Sequence, residues 1–307
     1  MSLTENTRKW LGKNAGISLK GKTVVVTGAN SGMGYKTAET MLYLGADVIL
    51  ACRNPQRADE ARQKLVAGYP GSNVSTMELD LADFSSIDAF ARQIKERDID
   101  VFVNNAGVFH QPGKKTKQGF DLVIGTNYIG VYYLTERLLP YLSSLPHEVT
   151  YINTISLVHK IAKIEYEDFY YTKRYRPLPV YSSSKLCLAK YTYYKAKELE
   201  GSNVRMYMNH PGIAITPLGI NAVGPKYAKP AKLVAPLFNS PEKSSLAVAY
   251  ILSHDLPAGS IVGPVKGFYG WGYPRLNRTS RKVTEGAEQL IAFTEKEIRQ
   301  AQGQKAI

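Results

Sequence analysis

The chain has 307 residues, 44% of them hydrophobic, which supports a large core and excludes a disordered or fibrous chain. Its 39 Lys and Arg against 26 Asp and Glu leave a net charge of +13, a balance that suits an anionic ligand, a nucleic acid or a membrane surface without choosing among them. Cys52 and Cys187 fall in unrelated segments and the five histidines lack ligand-like spacing, so neither a disulfide framework nor a metal site is expected.

Residues 1–20 are polar, with Arg8, Lys9 and Lys13, and read as an N-terminal leader without the apolar core of a signal peptide. No apolar run is long enough to span a bilayer, which points to a soluble, cytoplasmic protein. Lys22–Thr27 is a β-branched run, the pattern of a strand buried on both faces. The glycine-rich stretch Gly28-Ala29-Asn30-Ser31-Gly32-Met33-Gly34 follows, then a helical pattern to Leu44. Asp47–Ala51 is a second strand, and Asn54-Pro55 supplies an N-cap and a first-turn proline for a helix to Val66. Further strands are predicted at Val74–Leu79, Asp100–Val103, Glu148–Thr154 and Val204–Met208. Further helices are predicted at Phe84–Lys95, Gly125–Leu142 and Val180–Leu199. The alternation implies βαβ units. The expected fold is an α/β Rossmann-type, doubly wound parallel sheet of about seven strands with helices on both faces, a single domain over residues 21–273. Two long loops interrupt it, at 157–179 and 214–241, and residues 274–307 form a C-terminal helical extension with a helix over Glu285–Gln302.

Glycines at 28, 32 and 34, between a strand and its helix, let main chain approach a pyrophosphate at a helix N-terminus, although the spacing departs from G-x-G-x-x-G. The second strand ends Cys52-Arg53-Asn54 with no carboxylate to hold a ribose 2′-hydroxyl. Arg53 is instead placed for a 2′-phosphate, which selects NADP(H) over NAD(H). Tyr181 and Lys185 are four apart and share one face of a helix. A lysine cation there would lower the phenol pKa and let Tyr181 pass a proton near neutral pH. Asn127 lies inside a helical pattern that asparagine disfavours, which invites a functional account.

The glycine loop, Asn104-Asn105-Ala106-Gly107, Asn127, Ser156, Tyr181/Lys185 and Pro211-Gly212, in that order across residues 21–216, together resemble the short-chain dehydrogenase/reductase family. Ala51-Cys52-Arg53-Asn54, Ser156-Leu157-Val158-His159 and the long insert before Tyr181 resemble its retinol dehydrogenase and protochlorophyllide reductase branch. The resemblance implies a catalytic tetrad of Ser156, Tyr181, Lys185 and Asn127, with Asn127 holding a water in a relay to Lys185. It also implies that Asp80-Leu81 flanks the adenine, that Asn104, Ala106 and Gly107 support cofactor and sheet, and that Tyr181 and Lys185 bind the nicotinamide ribose. Pro211-Gly212-Ile213 and Thr216 would hold the nicotinamide end. The serine pair usual before the substrate loop is Ile155-Ser156 here, and the hydrophobic N-terminal anchor of membrane-bound members is missing from this sequence.

The expected activity is NADPH-dependent reduction of a ketone or aldehyde on a fairly large apolar molecule, reversible to alcohol oxidation. Reduction of a carbon–carbon double bond on the same scaffold, or a non-catalytic NADP(H)-sensing regulator, are the alternatives. Tyr166, Phe169, Tyr170, Tyr171 and Tyr175 of the insert either line an aromatic pocket or pack the insert onto the body. The basic clusters at 114–117, 173–176 and 278–282 are scattered, so no nucleic-acid partner is expected. A homodimer or homotetramer would use the helices Gly125–Leu142 and Val180–Leu199, which are expected to expose Tyr132, Tyr133, Tyr191, Tyr193 and Tyr194.

Overall fold

The computed structural model describes residues 3–212, 239–266 and 271–303. Its sheet has eight strands in the order β3-β2-β1-β4-β5-β6-β7-β8, one more than expected. The strands are β1 (Thr23–Thr27), β2 (Asp47–Cys52), β3 (Val74–Glu78), β4 (Val101–Asn104), β5 (Val149–Thr154), β6 (Val204–Asn209), β7 (Ile261–Lys266) and β8 (Trp271–Asn277). All neighbours pair in parallel except β8, which adds antiparallel to β7. The strand order reverses between β1 and β4, the switch point of a doubly wound sheet.

The central strands β1, β2, β4 and β5 are buried on both faces, and side-chain alternation sends successive residues to two different cores. In β1, Val24 and Val26 join one core and Val25 the other, all fully buried. The first core is closed by α1 (Glu5–Asn14), α2 (Gly32–Tyr43), α3 (Pro55–Gly68) and α8 (Pro241–Ser253). The second is closed by α4 (Phe84–Gln93), α6 (Gly130–Leu142), α7 (Pro177–Glu198) and α10 (Ala287–Gly303), the last following the short α9 (Arg281–Thr284).

Residues 3–20, within the stretch expected as a polar leader, contribute structure. Thr4 caps α1 and donates from Oγ1 to Glu242 at 2.7 Å, while Leu3, Trp10 and Leu11 are buried in the first core. The helix expected from Gly125 starts earlier, as the turn α5 (Leu122–Ile124), and passes through a π-helical turn at Gly125–Ile129 before α6. Gly130, which follows that turn, lies against Leu81: a Cβ there would lie 2.1 Å from Leu81 O.

The C-terminal helix settles two expectations. Tyr132, Tyr133 and Tyr191 are not exposed but buried, each at 6% exposure or less. Tyr128 and Thr294 share a hydrogen bond of 2.7 Å, Tyr132 donates to Glu295 at 3.4 Å, and Gln302 donates to Tyr133 at 3.3 Å. Part of the face on which self-association was expected is therefore covered by the chain's own α10. The insert packs onto the same helix: Phe169 and Tyr166 meet the Phe293 ring at 4.8 and 5.3 Å, and Tyr170 donates to Glu297 at 2.7 Å. Lys282 of α9 donates to Lys160 O and Ala162 O at 2.8 and 3.1 Å, pinning the start of the insert. Leu290 of α10 is fully buried in the second core. Leu290→Ala is expected to cost about 2–5 kcal/mol, the range of a buried leucine truncation. Urea denaturation of the variant against the wild type reads this directly.

Candidate active site

The C-terminal ends of the parallel strands share one rim of the sheet, and a cleft of about 290 Å³ runs along it. Its first wall is the turn from β1 into α2. Gly28 has φ +66, and a Cβ on it would lie 2.9 Å from Ala106 Cα. A Cβ on Gly34 would lie 2.5 Å from both Gly28 O and Asn105 Nδ2. Both positions therefore need glycine for close approach, and Gly28 for its conformation as well. Asn30, Ser31, Gly32 and Met33 complete this wall. Ser31 occupies the N-cap of α2 without a side-chain cap bond, so the first N–H groups of the helix are not satisfied by it. Thr27 Oγ1 accepts from Asn105 N and Ala106 N at 3.0 and 2.9 Å and fixes the opposite loop, Asn105–Val108.

Past the tip of β2, Arg53 and Asn54 line the cleft as expected, together with Arg57, which sequence reading missed. Asn54 Oδ1 accepts from Arg57 N at 2.9 Å and so starts α3. That capping turn brings the two exposed arginines, four residues apart, to one end of the cleft; a basic residue at i+4 was a readable signal. Asp80 and Leu81 lie on the lining, with Asp80 Oδ1 held by Ala82 N at 2.9 Å. Asn104 is not on the lining. Its side chain is buried in the sheet and donates to Tyr151 Oη and Asn153 Oδ1 at 2.8 and 2.9 Å. Ala106, Gly107 and Pro211 are on the lining, Gly212 directly follows, and Ile213 and Thr216 lie outside the described residues.

At the other end the helix α7 presents Tyr181 and Lys185 on one face, one turn apart. Ser156, just past β5, stands close enough to Tyr181 to act on its hydroxyl. Lys185 is 4% exposed; its Nζ donates to Thr154 O at 2.8 Å and lies 6.0 Å from the Tyr181 ring centroid. Asn127 sits in the π-helical turn, fully buried. Its Oδ1 accepts from Val108 N at 2.7 Å, and its Nδ2 donates to Val108 O and Ser184 Oγ at 2.9 and 3.1 Å. The side chain thus clamps the loop after β4 to α7. Gly107 separates Asn127 from Lys185: a Cβ there would be 3.1 Å from Asn127 Oδ1 and 3.7 Å from Lys185 Nζ. Phe109 meets the Tyr181 ring edge-on at 4.9 Å, and His110 lies 6.2 Å from Tyr175, so the mouth beside Tyr181 is aromatic. Of the insert's aromatic residues, Tyr175 takes part in this mouth, and it accepts from Gln111 N at 3.0 Å.

One expectation reverses. Tyr181 is not lowered toward neutrality; burial pushes it up to about 12, with Ser156 pulling the other way. Burial also brings Lys185 down to about 8. Desolvation opposes the charged form of both groups, and here it decides the sign of both shifts. The pair at neutral pH is a protonated phenol beside a lysine poised to give or take a proton.

The residues fit a dinucleotide. Neighbouring main chain leaves no room for a Cβ at two loop glycines, and two arginines stand at one end of the cleft. The Thr126 and Thr154 hydroxyls on the lining are buried without a partner among the described residues. Nothing in the sequence marked these threonines. No group of three His, Cys, Asp or Glu close enough to hold a metal ion occurs among the described residues, nor any helix long and apolar enough to cross a membrane.

The lowered Lys185 value has a consequence for stability. Between about pH 8 and 10.5 the folded protein binds fewer protons at Lys185 than the unfolded chain, so raising the pH through that window favours folding. From pH 7 to pH 10 the wild type should gain about 2–3 kcal/mol relative to Lys185→Met, which lacks the group. Denaturant titration of both proteins at the two pH values gives this difference, and an unchanged gap would place Lys185 at its ordinary value.

The sequence pattern of short chain dehydrogenases matches residues 22–224. Over 238 residues the chain is 40% identical to retinol dehydrogenase 14 of Mus musculus, covering 73% of this chain and 70% of that protein. It is 37% identical to retinol dehydrogenase 13 of Homo sapiens over 206 residues, 66% of this chain and 62% of that one. A crystal structure of an uncharacterized protein from Mycobacterium paratuberculosis superposes with a TM-score of 0.74 at 31% identity, covering 93% of this chain and 97% of that one. Fold, site and relatives agree: this chain is a short-chain dehydrogenase of the retinol dehydrogenase-like branch.

Proposed function

We propose that this oxidoreductase uses NADPH to reduce a ketone or aldehyde on a fairly large apolar molecule, and runs in reverse as an alcohol dehydrogenase. The observation that carries the reading is Tyr181 one helical turn from buried Lys185 on the cleft wall, with Ser156 close enough to act on the phenol, at the opposite end of the cleft from Arg53 and Arg57. NADPH, when bound, supplies the hydride. A carbonyl oxygen placed between Ser156 and Tyr181 would accept a hydrogen bond from each hydroxyl, which favours the oxyanion that develops there. Tyr181, protonated at neutral pH, is in the form that reduction requires of a general acid. Lys185, brought down to about 8, can return the proton. Asn127 acts by holding Val108 and Ser184, and so fixes both sides of Lys185. The Phe109–Tyr181 contact and Tyr175 at the mouth favour an apolar substrate, and the likeness to retinol dehydrogenases supports the same class. Reduction of a carbon–carbon double bond not conjugated to a carbonyl would leave Ser156 without a developing oxyanion to bind.

The arginine pair is expected to set cofactor choice. Arg53→Ala/Arg57→Ala should weaken NADPH binding about ten- to a hundredfold or more while leaving NADH within a few-fold, since charge-assisted hydrogen bonds to a phosphate are lost only with NADPH. Equal losses in fluorescence titrations of the two cofactors would remove the NADPH assignment.

Steady-state assays with NADPH and a panel of aromatic, steroidal and retinoid-like ketones and aldehydes test the reaction itself. Tyr181→Phe should keep cofactor affinity and lose about 10²–10⁴-fold in turnover. Ser156→Ala should lose about 10²–10³-fold. The double variant should lose less than the product, because both hydroxyls act on one oxygen. Near-normal turnover by Tyr181→Phe would exclude Tyr181 as the acid.

A further inference from the structure

β6 runs out at Asn209, and the chain passes through His210 into the Pro211-Gly212 turn at the edge of the cleft. His210 is fully buried and its main-chain N–H donates to Val262 O at 2.9 Å, extending the ladder onto β7. The imidazole occupies space that Gly263 leaves open: a Cβ on Gly263 would lie 2.6 Å from both ring Cε1 and ring Nε2. The two ring nitrogens have different partners. Nδ1 stands 3.2 Å from the Gly212 nitrogen, and Nε2 stands 3.3 Å from Asn277 Oδ1 on β8.

The protonation of the ring follows from the donors and acceptors around it. Asn277 Nδ2 donates to Gly263 O and Arg275 O, both at 3.0 Å, which orients the carboxamide with its oxygen toward the ring. That oxygen can only accept, so Nε2 carries a proton. The Gly212 N–H can only donate, so Nδ1 is bare. A doubly protonated ring would set one N–H against another. Gly212 has φ +71, and Pro211 O is held by Ser244 Oγ at 3.0 Å and Asn239 Nδ2 at 3.2 Å. His210 supplies the hold on the N–H side of the same turn.

We propose that His210, locked by Asn277 as its neutral Nε2–H tautomer, is a positioning residue that holds the Pro211-Gly212 turn in the shape the cofactor requires, and that this turn works only while His210 stays uncharged. The inference rests on the dinucleotide reading of the cleft. Burial brings His210 down to about 4, and repulsion from His159 and Lys160, on the segment after β5, acts in the same direction against the Asn277 bond. The eighth strand, which contributes Asn277, thereby reaches the cofactor cleft through one side chain.

Asn277→Asp tests it. A carboxylate facing Nε2 favours the imidazolium and raises the His210 pKa, so the N–H clash at Gly212 should appear as the pH falls. NADPH dissociation constants are measured by fluorescence titration from pH 8.5 to 6 and expressed as the variant-to-wild-type ratio, which cancels the titration of the cofactor's own phosphate. The ratio should be near one at pH 8.5 and rise to about tenfold or more at pH 6. His210→Gln/Asn277→Asp, whose glutamine can accept from Gly212 but cannot be protonated, should have a ratio that does not change with pH. Should Asn277→Asp fail to fold by circular dichroism, single variants carry the test. His210→Gln should then recover most of the affinity that His210→Ala loses, and equal losses by the two would overturn the proposal. Ring ¹H–¹⁵N spectra should show the wild type as the Nε2–H tautomer throughout. An Nδ1–H tautomer, or a variant ratio constant across the pH range, overturns the proposal while leaving the functional reading intact. A wild type that does not bind NADPH at any pH overturns the dinucleotide reading and this inference with it.

Discussion

A lysine ammonium out of water is the constraint on which this structure turns. Lys185 is almost fully buried and donates to the carbonyl of Thr154 at 2.8 Å. An isolated buried cation is costly, and the cost appears as its lowered pKa. The surroundings make the position tolerable. Gly107 is small enough for Asn127 and Lys185 to approach across it, Asn127 ties Val108 to Ser184, and Ser184 lies next to Lys185 on α7. β4, β5, the π-helical turn and α7 therefore meet at one ammonium group. A hydrophobic residue would suit the fold at that position; the lysine suits the chemistry.

The elements beyond the shared α/β frame serve the same end. α10 covers α6 and α7 and receives the aromatic insert, so the segment leading into Tyr181 is held from outside as well as by its own helix. β8 closes the far side of the sheet and carries Asn277 to the ring of His210. α1 seals the first core through Trp10 and Leu11 and ties to the start of α8 through Thr4 and Glu242. The cleft thus rests on an enlarged and covered sheet.

Much of this was legible because buried parallel strands read as β-branched runs and helices as periodic ones. Val24-Val25-Val26, the glycine turn after them and the Tyr181/Lys185 pair needed no coordinates. What escaped reading had physical reasons. β7 contains Gly263 and Pro264, which interrupt an apolar run, and the glycine is there to admit the His210 ring. α1 has only a narrow apolar stripe in a polar stretch, and its burial depends on partners more than 200 residues away. The tyrosines of α6 and α7 look exposed by periodicity because their cover, α10, begins 155 residues after Tyr132, the first of them. Tyr181 was expected to be lowered by a neighbouring cation, whereas spacing says nothing about desolvation, which decides the sign here. Asn104 belongs to a polar cluster inside the sheet with Tyr151 and Asn153 and does not reach the cleft.

The central claim is that Ser156, Tyr181 and Lys185 assist hydride delivery to a carbonyl carbon. Its most direct test uses NADPH deuterated at the transferable C4 position, reacted with an α,β-unsaturated ketone from among the turned-over substrates, with the product read by NMR. The account requires one deuterium on the carbinol carbon and an intact carbon–carbon double bond. Deuterium on the β-carbon of a surviving ketone would contradict it, and would move the reaction to the double bond.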